Sequence, residues 1–217
     1  MIQGALFDMD GVLVDNMRTH TEAFAILCRR YGIAERSSIF KEHIGMGNDD
    51  IMRALFPPEL LAERGWEALS DEKEAIYRDL IAASIRPVEG LIPFLQQLRD
   101  AGIRCAVGSS ACRANVEFVF ERCGLTPYFA AAVSGDEVVL RKPDPEIYLT
   151  AARALRLPPE NCVVFEDARA GIEAGRRAGM KVVAVATSLP HEELERTTAA
   201  QVIDDFTQID ARRLAAL

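Results

Sequence analysis

Asp8 and Asp10 stand one residue apart in Phe7-Asp8-Met9-Asp10-Gly11, directly after an apolar run from Ile2 that only Gln3 and Gly4 interrupt. Two carboxylates this close repel unless a cation or a proton separates them, so the pair predicts a bound divalent metal, a shared proton, or both. Two solvated acids in a turn are the plain alternative. A second acidic pair, Glu166-Asp167, closes the apolar run Cys162 to Phe165. Alone, that pair reads equally well as an N-cap and a first-turn acid for the next helix. Beside Asp8 and Asp10 it completes a small set of hard oxygen ligands. Such a set suits Mg²⁺, which keeps several waters and takes one or two carboxylates plus a substrate phosphate.

Lys142, in Arg141-Lys142-Pro143-Asp144-Pro145, lies in stiffened backbone just before a predicted helix. A lysine held there, rather than waving in solvent, can neutralise a carboxylate and a phosphoryl oxygen together. Ser109, in Val107-Gly108-Ser109-Ser110-Ala111, lacks the G-x-S-x-G elbow of a nucleophilic serine and is cast as a hydrogen-bond donor to an oxyanion. Other phosphate chemistries fail on spacing. Gly45-x-Gly47 has no third glycine or flanking strand, and no G-x-x-x-x-G-K-[ST] occurs. No cysteine has an arginine six residues on, as a thiolate phosphatase would, and the three histidines are isolated, which disfavours zinc.

The elements that must position these groups follow from periodicity. After Asp15 no strand pattern returns until about residue 103. Helical patterns cover Asn16 to Tyr31, Ile39 to Ile44, Asp49 to Phe56, Glu59 to Arg64 and Ser70 to Ile85. Strand and helix then alternate. Strands are expected at Ile2 to Phe7, Ile103 to Val107, Ala131 to Ser134, Cys162 to Phe165 and Lys181 to Ala186. Helices are expected from Leu91 to Ala101, from Arg113 to Cys123, from Asp144-Pro145 onward, and up to Ala178. Alternation of this kind implies an α/β fold with a parallel sheet and helices on both faces, in which ligands bind beyond the carboxyl ends of the strands. The domain expectation is an α/β core of residues 1–15 and 88–217 with a helical insert of residues 16–87.

The length of 217 residues allows one sizeable core plus a smaller appendage, and the net charge of −8 disfavours nucleic acid as a partner. No apolar run is long enough for a membrane span, and Met1-Ile2-Gln3-Gly4 has no basic leader region, so a cytosolic location is expected. The five scattered cysteines form no C-x-x-C pair and read as reduced core residues. Nothing suggests an obligate partner, and a monomer or weak homodimer is expected.

Phe-Asp-Met-Asp-Gly-Val-Leu-Val-Asp, Gly-Ser-Ser, Arg-Lys-Pro-Asp-Pro and Phe-Glu-Asp-Ala-Arg-Ala-Gly-Ile-Glu-Ala, in that order, resemble the four motifs of the haloacid dehalogenase superfamily. The helical insert resembles the cap of its phosphoglycolate phosphatase and β-phosphoglucomutase branch. The resemblance implies a Rossmann-like three-layer core, an aspartyl-phosphate on Asp8, and Asp10 as acid and then base. It implies Mg²⁺ held by the Asp8 side chain, the Asp10 backbone carbonyl and Asp167, with Glu166 as auxiliary ligand, and a phosphoryl group held by Ser109 and Lys142. His20 and Lys73 match cap positions of the mutase members. The plain readings are a packed histidine on an apolar stripe and a solvated lysine in Asp71-Glu72-Lys73-Glu74. Asp10 rejects dehalogenation, whose leaving group needs no proton. Met46-Gly47-Asn48-Asp49 and Ala111-Cys112 stand where mutases carry cations, which favours a phosphomonoesterase acting on a small sugar phosphate. A mutase is the alternative if Arg53 or Arg113 replaces the missing charge, and an inactive binding module comes last because Asp8, Asp10, Lys142 and Asp167 are all present.

Overall fold

A computed structural model describes residues 1–34 and 47–215. The helix expected from Ile39 to Ile44 lies outside the described residues. In chain order the elements are β1 (Gly4–Phe7), α1 (Met17–Arg30), α2 (Asn48–Leu55), α3 (Pro58–Arg64), α4 (Trp66–Ile81), α5 (Leu91–Asp100), β2 (Arg104–Gly108), α6 (Arg113–Cys123) and β3 (Phe129–Val133). They continue with α7 (Glu146–Ala154), β4 (Cys162–Glu166), α8 (Arg169–Arg177), β5 (Lys181–Val185), α9 (His191–Leu194), β6 (Gln201–Ile203) and α10 (Ala211–Ala215).

The strands form one parallel sheet in the order β3-β2-β1-β4-β5-β6. Strands buried on both faces divide their side chains by the period of two. Ala5, Phe7, Cys105, Val107, Val163, Phe165, Val183 and Val185 enter one apolar cluster, which α5 and α6 cover with Leu91, Phe94, Leu95, Leu98, Val116 and Val119. Leu6, Ala106, Val164, Val182 and Ala184 enter the other, covered from α7 and α8 by Ile147, Tyr148, Ala151 and Ile172. The result is a three-layer α/β/α core. Directly beneath the strand ends Phe7 stacks on Phe165 at 4.6 Å, with Phe94 and Phe206 against them. Each such fully buried side chain contributes about 1.5–3 kcal/mol, and together they make a rigid floor for the residues that follow.

The insert between β1 and α5 has an apolar cluster of its own. Ala23, Phe24, Leu27 and Cys28 of α1 pack on Ile51, Met52 and Leu55 of α2 and on Leu69, Ile76 and Tyr77 of α4. Its two connections run side by side: Val14 and Pro87 form an antiparallel bridge and Val88 N–H donates to the Leu13 carbonyl at 2.9 Å. Asp15 is exposed there, lining a groove of about 660 Å³ with Arg18 and Arg86, away from the carboxylate pair.

Several boundaries differ from the sequence expectation. α4 begins four residues before Ser70, because Gly65 breaks the chain and Leu69 is needed in the insert core; it stops at Ile81, whose carbonyl accepts from both Ser84 and Ile85 N–H. Pro145 is the N-cap of α7 rather than its first residue, so Asp144 lies one residue outside the cap, from where its carboxylate accepts from Glu146 N–H at 3.0 Å. β6 has no counterpart in the periodicity, since three residues at a sheet edge, of which only Ile203 is buried, carry too little pattern.

Candidate active site

β1 is central, and its neighbours β2 and β4 run level with it: Phe7 pairs with both Val107 and Phe165. The residues that follow each strand therefore emerge at one edge. Asp8 continues the ladder, its N–H donating to the Phe165 carbonyl at 3.0 Å, so its carboxylate stands beside Glu166 and Asp167. Carboxylate oxygens of Asp8, Glu166 and Asp167 all lie within 4.8 Å of one another, and all three residues are buried.

Lys142 closes this set from the loop before α7. Its ammonium donates to Asp8 Oδ1 at 2.8 Å and to Glu166 Oε1 at 2.7 Å, and lies 4.8 Å over the Tyr148 ring. The lysine is 2% exposed, so the solvated reading fails. Glu166 is saturated: Oε1 also accepts from Tyr148 Oη at 2.7 Å, and Oε2 accepts from the Asp167 and Ala168 N–H groups at 2.9 and 3.0 Å. It is the anchor that aims Lys142 as well as a neighbour of any ion.

Two glycines permit this crowding. Gly11 has φ +79°, and a Cβ there would come within 1.9 Å of Asp167 Oδ2; a Cβ on Gly171 would come within 1.6 Å of Glu166 Oε1. The loop after β5 adds Thr187, whose hydroxyl donates to the Gly11 carbonyl, and Ser188, whose hydroxyl donates to Asp167 Oδ2.

The electrostatics favour a further cation. Burial, only partly offset by Lys142 and reinforced by Glu166 and Asp10, lifts the Asp8 carboxyl to about 7. Burial also pushes Asp167 well above the usual carboxylate range, with Glu166 and Asp8 adding to the effect. Lys142, by contrast, stays charged: burial would lower it, but Asp8 and Glu166 raise it further. Three carboxylates facing one ammonium leave excess negative charge, and an all-oxygen donor set suits a hard divalent ion. The residues present therefore fit such an ion.

Asp10 points toward the insert. Its Oδ1 accepts from Asn16 Nδ2 at 2.6 Å and lies 3.5 Å from His20 Nε2. Burial works to raise its carboxyl, but His20 and Asn16 outweigh it and hold it below the ordinary range, so without a phosphate nearby Asp10 is an acceptor. His20 is both packed and engaged: it stacks on Tyr77 at 3.9 Å, and its Nδ1 is 2.8 Å from Lys73 Nζ. Lys73 is buried, bonded to Glu74 at 2.7 Å, rather than solvated.

Ser109 emerges from β2 at the same edge, 1% exposed, its N–H donating to the Val133 carbonyl and its hydroxyl oxygen accepting from Ala111 N–H. The two arginines considered as substitute cations are placed otherwise. Arg113 donates to the Ala132 carbonyl at 3.0 Å and pairs with Glu137, and Arg53 is exposed on α2. Asn16, Tyr77, Tyr148, Thr187 and Ser188 were not singled out from sequence. Thr187 and Ser188 follow a strand at the same sheet edge, which is the signal that marks Ser109; the other three carry none.

A family model for haloacid dehalogenase-like hydrolases matches residues 2–179. The chain belongs to that family. It is 32% identical over 217 residues to the validoxylamine A 7'-phosphate phosphatase of Streptomyces hygroscopicus subsp. limoneus, covering 96% of each chain. It is 33% identical over 184 residues to the fructose-1-phosphate phosphatase of Escherichia coli K12, covering 84% of this chain and 95% of that one. Among solved structures, the β-phosphoglucomutase of Clostridium difficile superposes with a TM-score of 0.84 at 26% identity, over 100% of this chain and 96% of that one. This hydrolase therefore stands among phosphatases and a phosphomutase. No helix among its described residues is long and apolar enough to cross a membrane.

Proposed function

We propose that this hydrolase is a Mg²⁺-dependent phosphatase that removes phosphate from a small phosphomonoester, a sugar phosphate or similar metabolite, through an aspartyl-phosphate on Asp8. The observation that carries the reading is the buried Lys142 ammonium held against Asp8 Oδ1 at 2.8 Å, with Asp167 facing the same oxygens. A carboxylate so placed is a nucleophile with its charge already partly met. Mg²⁺, held by Asp8, Asp167 and the Asp10 backbone carbonyl, with the fully bonded Glu166 beside it as the anchor of Lys142 rather than the auxiliary ligand the resemblance implies, would spread the phosphoryl charge so that an anionic nucleophile can approach.

In the first half of the reaction an Asp8 oxygen bonds to phosphorus while the ester bond breaks, and the departing oxygen takes its proton from Asp10. Asp10 is protonated for that step because an incoming phosphate dianion raises its carboxyl by like-charge repulsion. In the second half Asp10 accepts a proton from water, the water oxygen bonds to phosphorus, and the bond to Asp8 breaks. Ser109 and Lys142 hold the phosphoryl oxygens throughout. Residues 16–87 act as a cap over the core of residues 1–15 and 88–217, moving on the paired connections at Val14 and Pro87 to exclude water. The work is assigned to a monomer or weak homodimer in the cytoplasm.

A β-phosphoglucomutase-type reaction is the second reading, favoured by the His20–Lys73 pair beside Asp10 and by the likeness to the Clostridium enzyme. Arg113 speaks against it, since its guanidinium is engaged by the Ala132 carbonyl and Glu137. A phosphate-release screen over sugar monophosphates with Mg²⁺, run beside conversion of β-glucose 1-phosphate to glucose 6-phosphate, separates the two. Release without isomerisation supports the phosphatase, and the reverse overturns it. Asp8→Asn should abolish turnover.

A further inference from the structure

Insert and core also meet through a core side chain that no step above uses. Asn115, on α6, is fully buried and spends both ends of its amide on α4: Nδ2 donates to Glu74 Oε2 at 2.6 Å, and Oδ1 accepts from Arg78 Nη1 at 2.7 Å. Glu74 Oε1 accepts in turn from Lys73 Nζ at 2.7 Å and Asn48 Nδ2 at 2.5 Å. From Lys73 the contacts continue to His20 Nδ1 at 2.8 Å, and from His20 Nε2 to Asp10 Oδ1 at 3.5 Å. An ammonium only donates, so His20 Nδ1 must accept and the ring carries its proton on Nε2, the nitrogen that faces Asp10.

We propose that Asn115 and Glu74 form a latch across the seam between insert and core, which registers closure of the insert and, through Lys73, sets the tautomer and position of His20 toward Asp10. Both are positioning residues, and the proposal rests on the role of Asp10 in the hydrolysis proposed above. The physical reason is the cost of a buried polar group without partners. Separating the two bodies strips partners from the Asn115 amide, the Glu74 carboxylate and the Arg78 guanidinium at once. Restoring all of these directional bonds admits one register of α4 on α6. In that register Glu74 is held from both sides, and the ammonium of Lys73 has a single favoured direction.

The test compares the full chain with Asn115→Ala, Glu74→Gln, Asn115→Asp and the exchange Glu74→Gln/Asn115→Asp. The exchange reverses the donor and acceptor across the seam and keeps every bond: the new amide donates to the new carboxylate, which still accepts from Arg78. Turnover is measured with Mg²⁺ on a sugar phosphate from the screen and on p-nitrophenyl phosphate, whose leaving group needs no proton. Single variants should lose about tenfold in kcat/KM on the sugar phosphate relative to p-nitrophenyl phosphate, and the exchange should recover most of it, the scale and pattern of coupling between directly bonded side chains. Equal losses on both substrates that follow a lowered melting midpoint, or an exchange no better than its worse parent, would overturn the latch. If the Asn115 variants do not fold, Arg78→Met removes one of its bonds from a half-exposed position and carries the same expectation. Loss of turnover in Asp8→Asn beside unchanged Asn115 variants overturns the latch alone. Turnover retained in Asp8→Asn overturns the hydrolysis reading.

Discussion

Lys142 shows how one residue serves both stability and chemistry. Its ammonium lies between two buried carboxylates, 2.8 Å from Asp8 and 2.7 Å from Glu166. Removing one partner of such a cluster leaves uncompensated buried charge. Lys142→Met should therefore cost about 3–5 kcal/mol and lower the melting midpoint by about 10 °C in a chain of this size. Thermal unfolding without added metal, with phosphate release measured in parallel, checks both losses; an unchanged midpoint would show that the pair is not formed. Lys142 was legible in the sequence because two prolines restrict its loop. Tyr148, which donates to the same Glu166 oxygen as Lys142, was not, since a tyrosine in an amphipathic helix looks like any other core aromatic until its hydroxyl is seen to reach a carboxylate.

At the scale of the element, α4 carries the most that periodicity does not reveal. Its apolar face packs on α1 and α2, yet Lys73 and Glu74 on the same helix are also buried, as a bonded pair. Burial would raise the Glu74 carboxyl, but Lys73, His20 and Asn48 outweigh it and bring it down from 4.5 to about 2. The unfolded chain thus binds the proton more tightly than the folded one, so this contribution is fully present above 4.5 and fades as pH falls toward 2. It amounts to roughly 3 kcal/mol. Melting midpoints recorded from about pH 6 down to about pH 3 should fall more steeply for the native chain than for Glu74→Gln. Parallel curves would show that Glu74 is not held as a buried anion. A four-residue cluster Asp71-Glu72-Lys73-Glu74 reads as a solvated face in sequence, and only packing against α1 and α6 separates its buried members from its exposed ones.

For the whole molecule, the strand order β3-β2-β1-β4-β5-β6 puts the central strand between the two that carry its chemical partners, and with the Lys142 loop and the loop after β5 five distant segments deliver side chains to one edge. Excess negative charge at that edge would favour a divalent ion in the folded state over the unfolded one. Mg²⁺ at about a hundred times its dissociation constant should stabilise the chain by about 2.7 kcal/mol, seen as a rise of several degrees in the melting midpoint. Asp167→Asn should blunt that rise. A midpoint unmoved by Mg²⁺ at any concentration would count against the metal site. Because the readout is unfolding, it does not depend on knowing the substrate.

The sequence by itself determined the strand-borne acids, the alternation that makes a parallel sheet, and the family, because each is written in local spacing: Asp8 and Asp10 one residue apart, Glu166 and Asp167 closing an apolar run, Lys142 among prolines. Gly11 and Gly171 belong there too, as residues of the motifs, but their reason is tertiary, for only the fold shows which carboxylate a side chain would strike. Tertiary structure alone decided that Glu166 is spent on Lys142, that Arg113 turns away to Glu137, and that Asn115 ties the core to α4. These are contacts between segments far apart in the chain, where the choice of partner depends on burial and on the direction of a hydrogen bond rather than on any neighbour in sequence.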